Sequence, residues 1–249
     1  MKPKIICIIQ ARTGSTRLPN KIFLPLEGKP ILLRVLDRVL ESKFINTVVV
    51  ATTTKPNDQK IVDLLSGYKS NVFVTRGSEE DVLDRYYEAA KQFKADVVVR
   101  ITSDNPMIDP DLIDRVITEF LERPDLDYAS TNIGKHTFPR GTDVEVVRFS
   151  TLEKLWKTTT EPIDREHVTI HFKRFPDNFK THAVINDVDL SFHRWTVDEE
   201  ADYELAKAIY SRLYSKKPHF RMADVLTLFK EDANLIKINQ HVEQQNAKY

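Results

Sequence analysis

The residues best suited to chemistry open the first polar stretch of the chain. Residues 10–21 read QARTGSTRLPNK. Arg12, Arg17 and Lys21 supply cations, Thr13, Ser15 and Thr16 supply hydroxyls, and Gly14 is expected to let the backbone turn. Such a loop can grip phosphates, because its N–H groups form an anion-binding concavity and the cations add charge. Two familiar phosphate loops are absent, since neither G-x-x-x-x-G-K-[ST] nor G-x-G-x-x-G occurs. The plainer alternative is a basic surface loop after a core strand, since such loops are often polar.

Two carboxylates suit a counter-ion for that loop. Asp104 follows the apolar run DVVVRI (96–101) by a few residues, and Pro106 stiffens the turn. A lone carboxylate facing a cationic loop is an arrangement that holds Mg²⁺ against phosphate oxygens, because Mg²⁺ takes one or two carboxylates plus phosphates and waters. The alternative is a turn former, or a cap for the helix expected near Asp111. Asp198 comes at the end of the strand expected over 193–197 and precedes Glu199 and Glu200. It could bind a metal, act as an ordinary helix cap, or do both. Asp187-Val188-Asp189 is a D-x-D triplet of the sort found in metal-dependent sugar transferases, and equally a surface turn. His167 and His171 have a zinc-compatible spacing on one expected helix, but H-E-x-x-H is absent. Arg165 and His167 could instead meet an anionic substrate.

The elements that must position these groups follow from periodicity. Residues 5–9 are apolar and mostly β-branched, as in a strand buried on both faces. Residues 30–42 carry apolar positions at helical spacing, with Pro30 suited to the first turn. Strands are expected at 47–51, 72–75 and 96–101, and helices at 58–65, 81–93 and 111–121. This repeated alternation predicts a parallel sheet with right-handed crossovers. In such sheets ligands bind beyond the carboxyl ends of the strands. Segments 10–21, 52–55, 76–80 and 102–106 therefore meet at one edge, bringing Thr52, Arg76, Thr102 and Ser103 towards the first loop. Further on, strands are expected at 128–131, 143–149, 179–185 and 193–197, and helices at 152–158, 164–174, 198–214 and 222–229. Residues 1–239 read as one domain and 240–249 as a polar tail.

Composition limits the partners. The 249 residues include 37 Lys+Arg and 37 Asp+Glu, so no global field attracts nucleic acid or an acidic membrane. With 41% hydrophobic residues the chain can build a sizeable core. The single cysteine, Cys7, lies inside the first strand and reads as a buried thiol in a reducing compartment. No secretory signal or transmembrane-length run is visible, so a cytoplasmic protein is expected.

The run from Gln10 to Lys21 resembles the A-R-x-x-S-x-R-x-P-x-K loop of bacterial CMP-sugar synthetases. These are the cytidylyltransferases that activate 3-deoxy-manno-octulosonate and the acylneuraminates. Gly28-Lys29-Pro30-Ile31 matches the G-K-P-[ML] that follows in the family. The segment RITSDNP (100–106) looks like its Q-G-D-x-P, with Thr102 where octulosonate enzymes carry Gln. The segment WTVDEEADYE (195–204) looks like its V-D-x-x-x-D-L-E. PRGTDVE (139–145), DREHVT (164–169) and RWTVD (194–198) are most similar to the spore-coat polysaccharide branch. The resemblance implies a glycosyltransferase-A-like, Rossmann-like nucleotidyltransferase fold of the α/β class, with a mostly parallel sheet flanked by helices. It also implies a Mg²⁺-dependent reaction of CTP with a small sugar acid. Arg12, Ser15 and Lys21 would then bind the triphosphate, and Asp104 and Asp198 the magnesium. Gln10, Ala11, Thr13, Gly14, Thr52, Arg76, Thr102 and Ser103 complete the expected nucleotide site. Arg140, Glu145, Arg165 and His167 are the acceptor candidates. Two rival readings are a transferase using a nucleotide-sugar donor, with Asp187 and Asp189 on the metal, and a non-catalytic nucleotide-binding subunit. The sequence leaves homodimer and monomer open.

Overall fold

The computed structural model describes residues 2–243. β1 (Ile5–Gln10) is flanked by strands on both sides. Successive side chains of a strand point to opposite faces, so Cys7 and Ile9 enter one apolar cluster and Ile6 and Ile8 the other. That is why the strand reads as an unbroken hydrophobic run. A 3₁₀ turn (Lys21–Phe23) and a small hairpin, β2 (Pro25–Leu26) with β3 (Lys29–Pro30), lead into α1 (Ile31–Val39). Next come β4 (Val48–Thr53), α2 (Gln59–Leu65), β5 (Val72–Gly77), α3 (Val82–Gln92), β6 (Val97–Thr102) and α4 (Pro110–Leu121). β5, β4, β1 and β6 pair in parallel in that order, as the alternation predicts.

The remaining strands extend the sheet past β6. β7 (Tyr128–Ser130) and β8 (Glu145–Arg148) are antiparallel to each other, and β8 is antiparallel to β6. Then follow α5 (Phe149–Thr158), α6 (Pro162–His167), α7 (Ile170–Arg174) and β9 (Thr181–Ala183), which pairs in parallel with β7. α8 (Glu200–Leu213), α9 (Met222–Glu231) and α10 (Asn234–Lys237) complete the described chain. Among the described residues the main sheet runs β5-β4-β1-β6-β8-β7-β9. One core fills the space between it and α1, α4, α8 and α9, and the other packs α3, α5 and α7 on the opposite face. No described helix is long and apolar enough to cross a membrane.

Three local expectations change, and one short helix is added. Pro30 is not in the first helical turn; it pairs in β3 and caps α1 with an extended backbone. The helix expected over 164–174 breaks at Val168, whose φ is 59°, so His167 and His171 sit on separate helices. The strand expected over 193–197 does not form. Its described backbone makes an isolated bridge between Arg140 and Arg194, and the Val197 N–H donates to the Asp104 carbonyl at 2.9 Å. His193, Arg194, Trp195 and Val197 are buried there by packing, without a ladder. α10 was not expected, because four residues are too few for a periodic signal. Of the expected tail, residues 244–249 lie outside the described residues.

Candidate active site

The carboxyl edge of the parallel strands opens into a cavity of about 410 Å³. Gln10, Ala11, Arg12, Gly14, Ser15, Lys21, Thr102, Ser103, Asp104, His167 and Asp198 all line it. At its centre the Lys21 ammonium donates to Asp104 Oδ2 at 2.6 Å and to Asp198 Oδ1 at 2.7 Å. Topology explains the convergence. β6 ends at Thr102 beside Gln10 of β1, so Asp104 emerges at the loop that carries Lys21. The bond from Val197 N–H to the Asp104 carbonyl then seats Asp198 alongside. Burial alone would raise the Asp104 pKa, but the charge and hydrogen bond of Lys21, aided by Thr102, hold it below the usual carboxylate value. Burial would likewise lower Lys21, and the two carboxylates more than reverse it, so its pKa is raised.

Neither aspartate is a helix cap. Asp109 caps α4, accepting from the Asp111 N–H at 2.9 Å. Glu199 caps α8 in a capping box with Asp202. Asp198 Oδ2 instead accepts from Arg194 at 3.0 Å and lies 3.4 Å from Arg17. Two carboxylates already share one cation, which makes them the residues that could hold a divalent ion. No group of three or more His, Cys, Asp or Glu is placed for a metal among the described residues.

The first loop divides its labour. Thr13 faces away from the cavity: its N–H and Oγ1 both donate to Asp58 Oδ1, each at 2.7 Å. Thr53 Oγ1 donates to the other Asp58 oxygen. Burial would raise the Asp58 pKa, yet the bonds from Thr53 and Thr13 keep it lowered. Asp58 is thus the anchor of the loop. Arg12 is half-exposed and rests 3.3 Å from Glu79, which also pairs with Lys55. Gly14 does not serve as a left-handed turn, because its φ lies outside that region and an added Cβ would meet only Glu79 Oε1 at 3.6 Å. Gln10 Oε1 is buried without a partner in the cavity wall.

Several expected contacts lie elsewhere. Thr52 is fully buried within β4, off the cavity. Arg76 binds the Thr53 carbonyl at 2.9 Å, Gln59 at 2.7 Å and the Lys55 carbonyl at 3.1 Å, so it braces the β4–α2 turn. Arg165 donates to Asp81 at 3.0 Å and to the Trp156 carbonyl at 2.8 Å, stitching the cap of α3 to the end of α5. It borders a neighbouring open hollow of about 930 Å³ and not the cavity itself. Glu145 is buried against Arg100 at 2.6 Å and Asn132 at 3.1 Å, while its Oε2 has no partner. Arg140 is tied through its backbone to the 193–195 segment, off the cavity. Gly141 makes this close approach feasible, since a Cβ there would lie 2.2 Å from the Thr196 nitrogen. His171 and Arg174 both bind buried Asp164, which removes the histidine pair as a zinc site. Asp189 accepts from the Ser191 hydroxyl at 2.6 Å in an exposed turn, and the D-x-D triplet stands apart from the cavity.

Sequence reasoning did not single out Glu79, Val82, Arg85 or Glu166, which also line the cavity, and of these Arg85 is the cation. Arg85 of α3 is 5% exposed, donates to the Ala51 carbonyl at 2.9 Å, and leaves Nε buried without a partner. Burial lowers its pKa. Gly77 admits it, because a Cβ there would come within 2.7 Å of Arg85 Cγ. The signal was present: an arginine stands on the apolar face of α3, three residues after Val82 and among Leu83, Tyr86 and Ala89.

Comparison with known proteins places residues 6–242 in a family described as cytidylyltransferase. The chain is 39% identical over 250 residues to the uncharacterized protein MJ1063 of Methanocaldococcus jannaschii, covering 98% of this chain and 97% of that one. It is 32% identical over 238 residues to the spore coat polysaccharide biosynthesis protein SpsF of Bacillus subtilis, covering 90% and 93%. Among solved structures, a cytidylyltransferase from Leptospira borgpetersenii superposes with a TM-score of 0.89 at 34% identity, covering 100% of both chains.

Proposed function

The chain belongs to the cytidylyltransferase family, and we propose that it transfers CMP from CTP to the hydroxyl of a small sugar acid of ulosonic or nonulosonic type. Pyrophosphate is released, and the product is an activated sugar for surface polysaccharide. The observation that carries this reading is the meeting of Asp104 and Asp198 on one cation at the mouth of a basic, hydroxyl-rich loop. The relationship to a polysaccharide biosynthesis protein supports a sugar acceptor.

The donor set fits Mg²⁺. Two carboxylates without a third protein ligand leave coordination sites for phosphate oxygens and water, as this ion prefers, whereas a closed zinc site needs more protein ligands. Asp104 and Asp198 would hold it, and when bound it supplies Lewis-acid polarisation at the α-phosphate. Lys21 then turns from the carboxylates towards the phosphates. Arg12, only loosely held by Glu79, swings in as a second clamp. Arg85 offers fixed donors from the cavity wall, already stripped of water and so costing little reorganisation. The acceptor hydroxyl attacks the α-phosphorus and gives its proton to water, a new P–O bond forms, and the bond to the β-phosphate oxygen breaks with its electrons leaving on pyrophosphate. The protein contributes alignment and charge neutralisation rather than a covalent intermediate. With Arg165 engaged, His167 is the acceptor candidate that borders the cavity.

The test is pyrophosphate release across the four nucleoside triphosphates, each with a panel of ulosonic and nonulosonic acids. CTP with one acid should give turnover. Binding of a nucleotide without release under any pairing would overturn the reading.

A further inference from the structure

We propose, on the basis of the metal and triphosphate reading above, that Arg194, Asp202 and Asn239 are positioning residues that aim the Asp198 carboxylate. The segment after α10 thereby becomes part of the support of the active site. Asp198 lies on backbone that belongs to neither a strand nor a helix. A carboxylate on such a segment points in one direction only if something beneath it removes the alternatives.

That support is built around Asp202, which is 1% exposed. Its Oδ2 accepts from the N–H groups of Asp198 at 3.0 Å and Glu199 at 3.1 Å, and from Arg194 Nη2 at 3.0 Å. Its Oδ1 accepts from Arg194 Nε at 2.9 Å and from Asn239 Nδ2 at 2.8 Å. Asn239 also donates to the Arg194 carbonyl at 2.9 Å. The same Arg194 Nη2 reaches Asp198 Oδ2 at 3.0 Å. One planar guanidinium therefore fixes both carboxylates, and Asp198 Oδ1 is left facing Lys21 and the cavity.

Stability alone does not account for this arrangement. Taking an Arg–Asp pair out of water is costly, and well-packed apolar residues of similar volume stabilise a fold at least as well. A single capping acceptor would also suffice for α8. What an apolar contact cannot provide is direction for Asp198. Asn239 closes the network from a part of the chain far from the site in sequence. Both of its bonds are to groups that fix Asp198, and to nothing that would touch substrate. This is the outer-shell support that metal-binding carboxylates require.

The experiment uses Mn²⁺ as probe, its binding to the full chain with CTP read by electron paramagnetic resonance of the free ion. Asn239→Asp keeps the volume and replaces the Nδ2 donor with oxygen; Asn239→Ala removes the side chain. Both should weaken Mn²⁺ binding by about ten-fold or more and lower kcat similarly, with KM for CTP little changed. Thr151→Val removes a partly buried bond to Asp127, remote from the cavity, and controls for general destabilisation. It should leave Mn²⁺ binding unchanged at a comparable loss of thermal stability. If Asn239→Ala fails to fold, the isosteric Asn239→Asp carries the test. Wild-type Mn²⁺ affinity and kcat in a folded Asn239 variant would overturn the inference, as would an equal loss in Thr151→Val. If the wild-type protein with CTP binds no Mn²⁺, the metal reading fails and the inference falls with it, for that separate reason.

Discussion

At the scale of single residues, the cavity is a set of charges held ready. Asp104 stays ionised because Lys21 is beside it, and Lys21 stays protonated because two carboxylates flank it. Asp104→Asn keeps the shape and removes the charge. It should lower turnover by on the order of 10²–10³ while the thermal unfolding profile still shows a folded chain; near-normal turnover would remove Asp104 from the metal site. Arg85 differs in kind. Its guanidinium is already desolvated, so a phosphate meeting it gains a charge-assisted bond in a nearly dry setting. Arg85→Met should raise KM for CTP about ten-fold or more. Unchanged CTP kinetics would make it a structural arginine serving only the Ala51 carbonyl.

At the scale of elements, the first loop is restrained by a neighbouring turn. Asp58 binds Thr13 twice and Thr53 once, tying the loop after β1 to the start of α2. A phosphate loop that must be ordered on each binding event pays conformational entropy; one already tied down does not. Thr13→Val removes the side-chain bond but leaves the N–H bond in place. It should raise KM for CTP with little loss of thermal stability, whereas Asp58→Ala, which frees all three donors, should also destabilise the fold by about 2–3 kcal/mol. Equal CTP kinetics in wild type and both variants would show that the loop needs no anchor. The α6–α7 break belongs to this scale too. Val168 takes a backbone conformation that a β-branched residue resists. The break leaves His167 at the cavity and turns His171 to Asp164.

At the scale of the whole molecule, a buried histidine makes the fold sensitive to acid. His193 packs against Phe192, Trp195 and Phe229 in the helix-rich layer that carries α8 and α9. Burial pushes its pKa down from 6.5 to about 4. The sign follows directly: the unfolded chain takes up this proton near 6.5 and the folded chain only near 4. The neutral, packed ring therefore favours folding fully above 6.5, and that contribution is lost as pH falls from there to about 4. Urea unfolding at a series of pH values should show stability falling over this window, by roughly 2–3 kcal/mol for this group. His193→Phe should flatten the slope. An unchanged slope in the variant would assign it to other groups.

The sequence by itself determined the parallel half of the sheet, its layers and the edge at which a site forms. Buried strands and amphipathic helices write their periodicity into local residue order, and a parallel α/β topology then dictates where loops meet. It also pointed to Lys21, Asp104 and Asp198, each in a segment that follows an expected strand. Only the tertiary structure decided which polar side chains remain for a ligand. Arg165, Arg76 and Thr13 look as well suited as Arg12 in sequence, yet their partners at Asp81, Gln59 and Asp58 engage them in holding the frame. Arg85 was hidden by the same logic in reverse, an ion placed among core residues because Gly77 gives it room. Asp198 reached the site through a backbone bond to Asp104 across 93 positions of sequence (197 less 104). Hydrogen-bond partners are set by packing between distant segments, and no local pattern of residues records them.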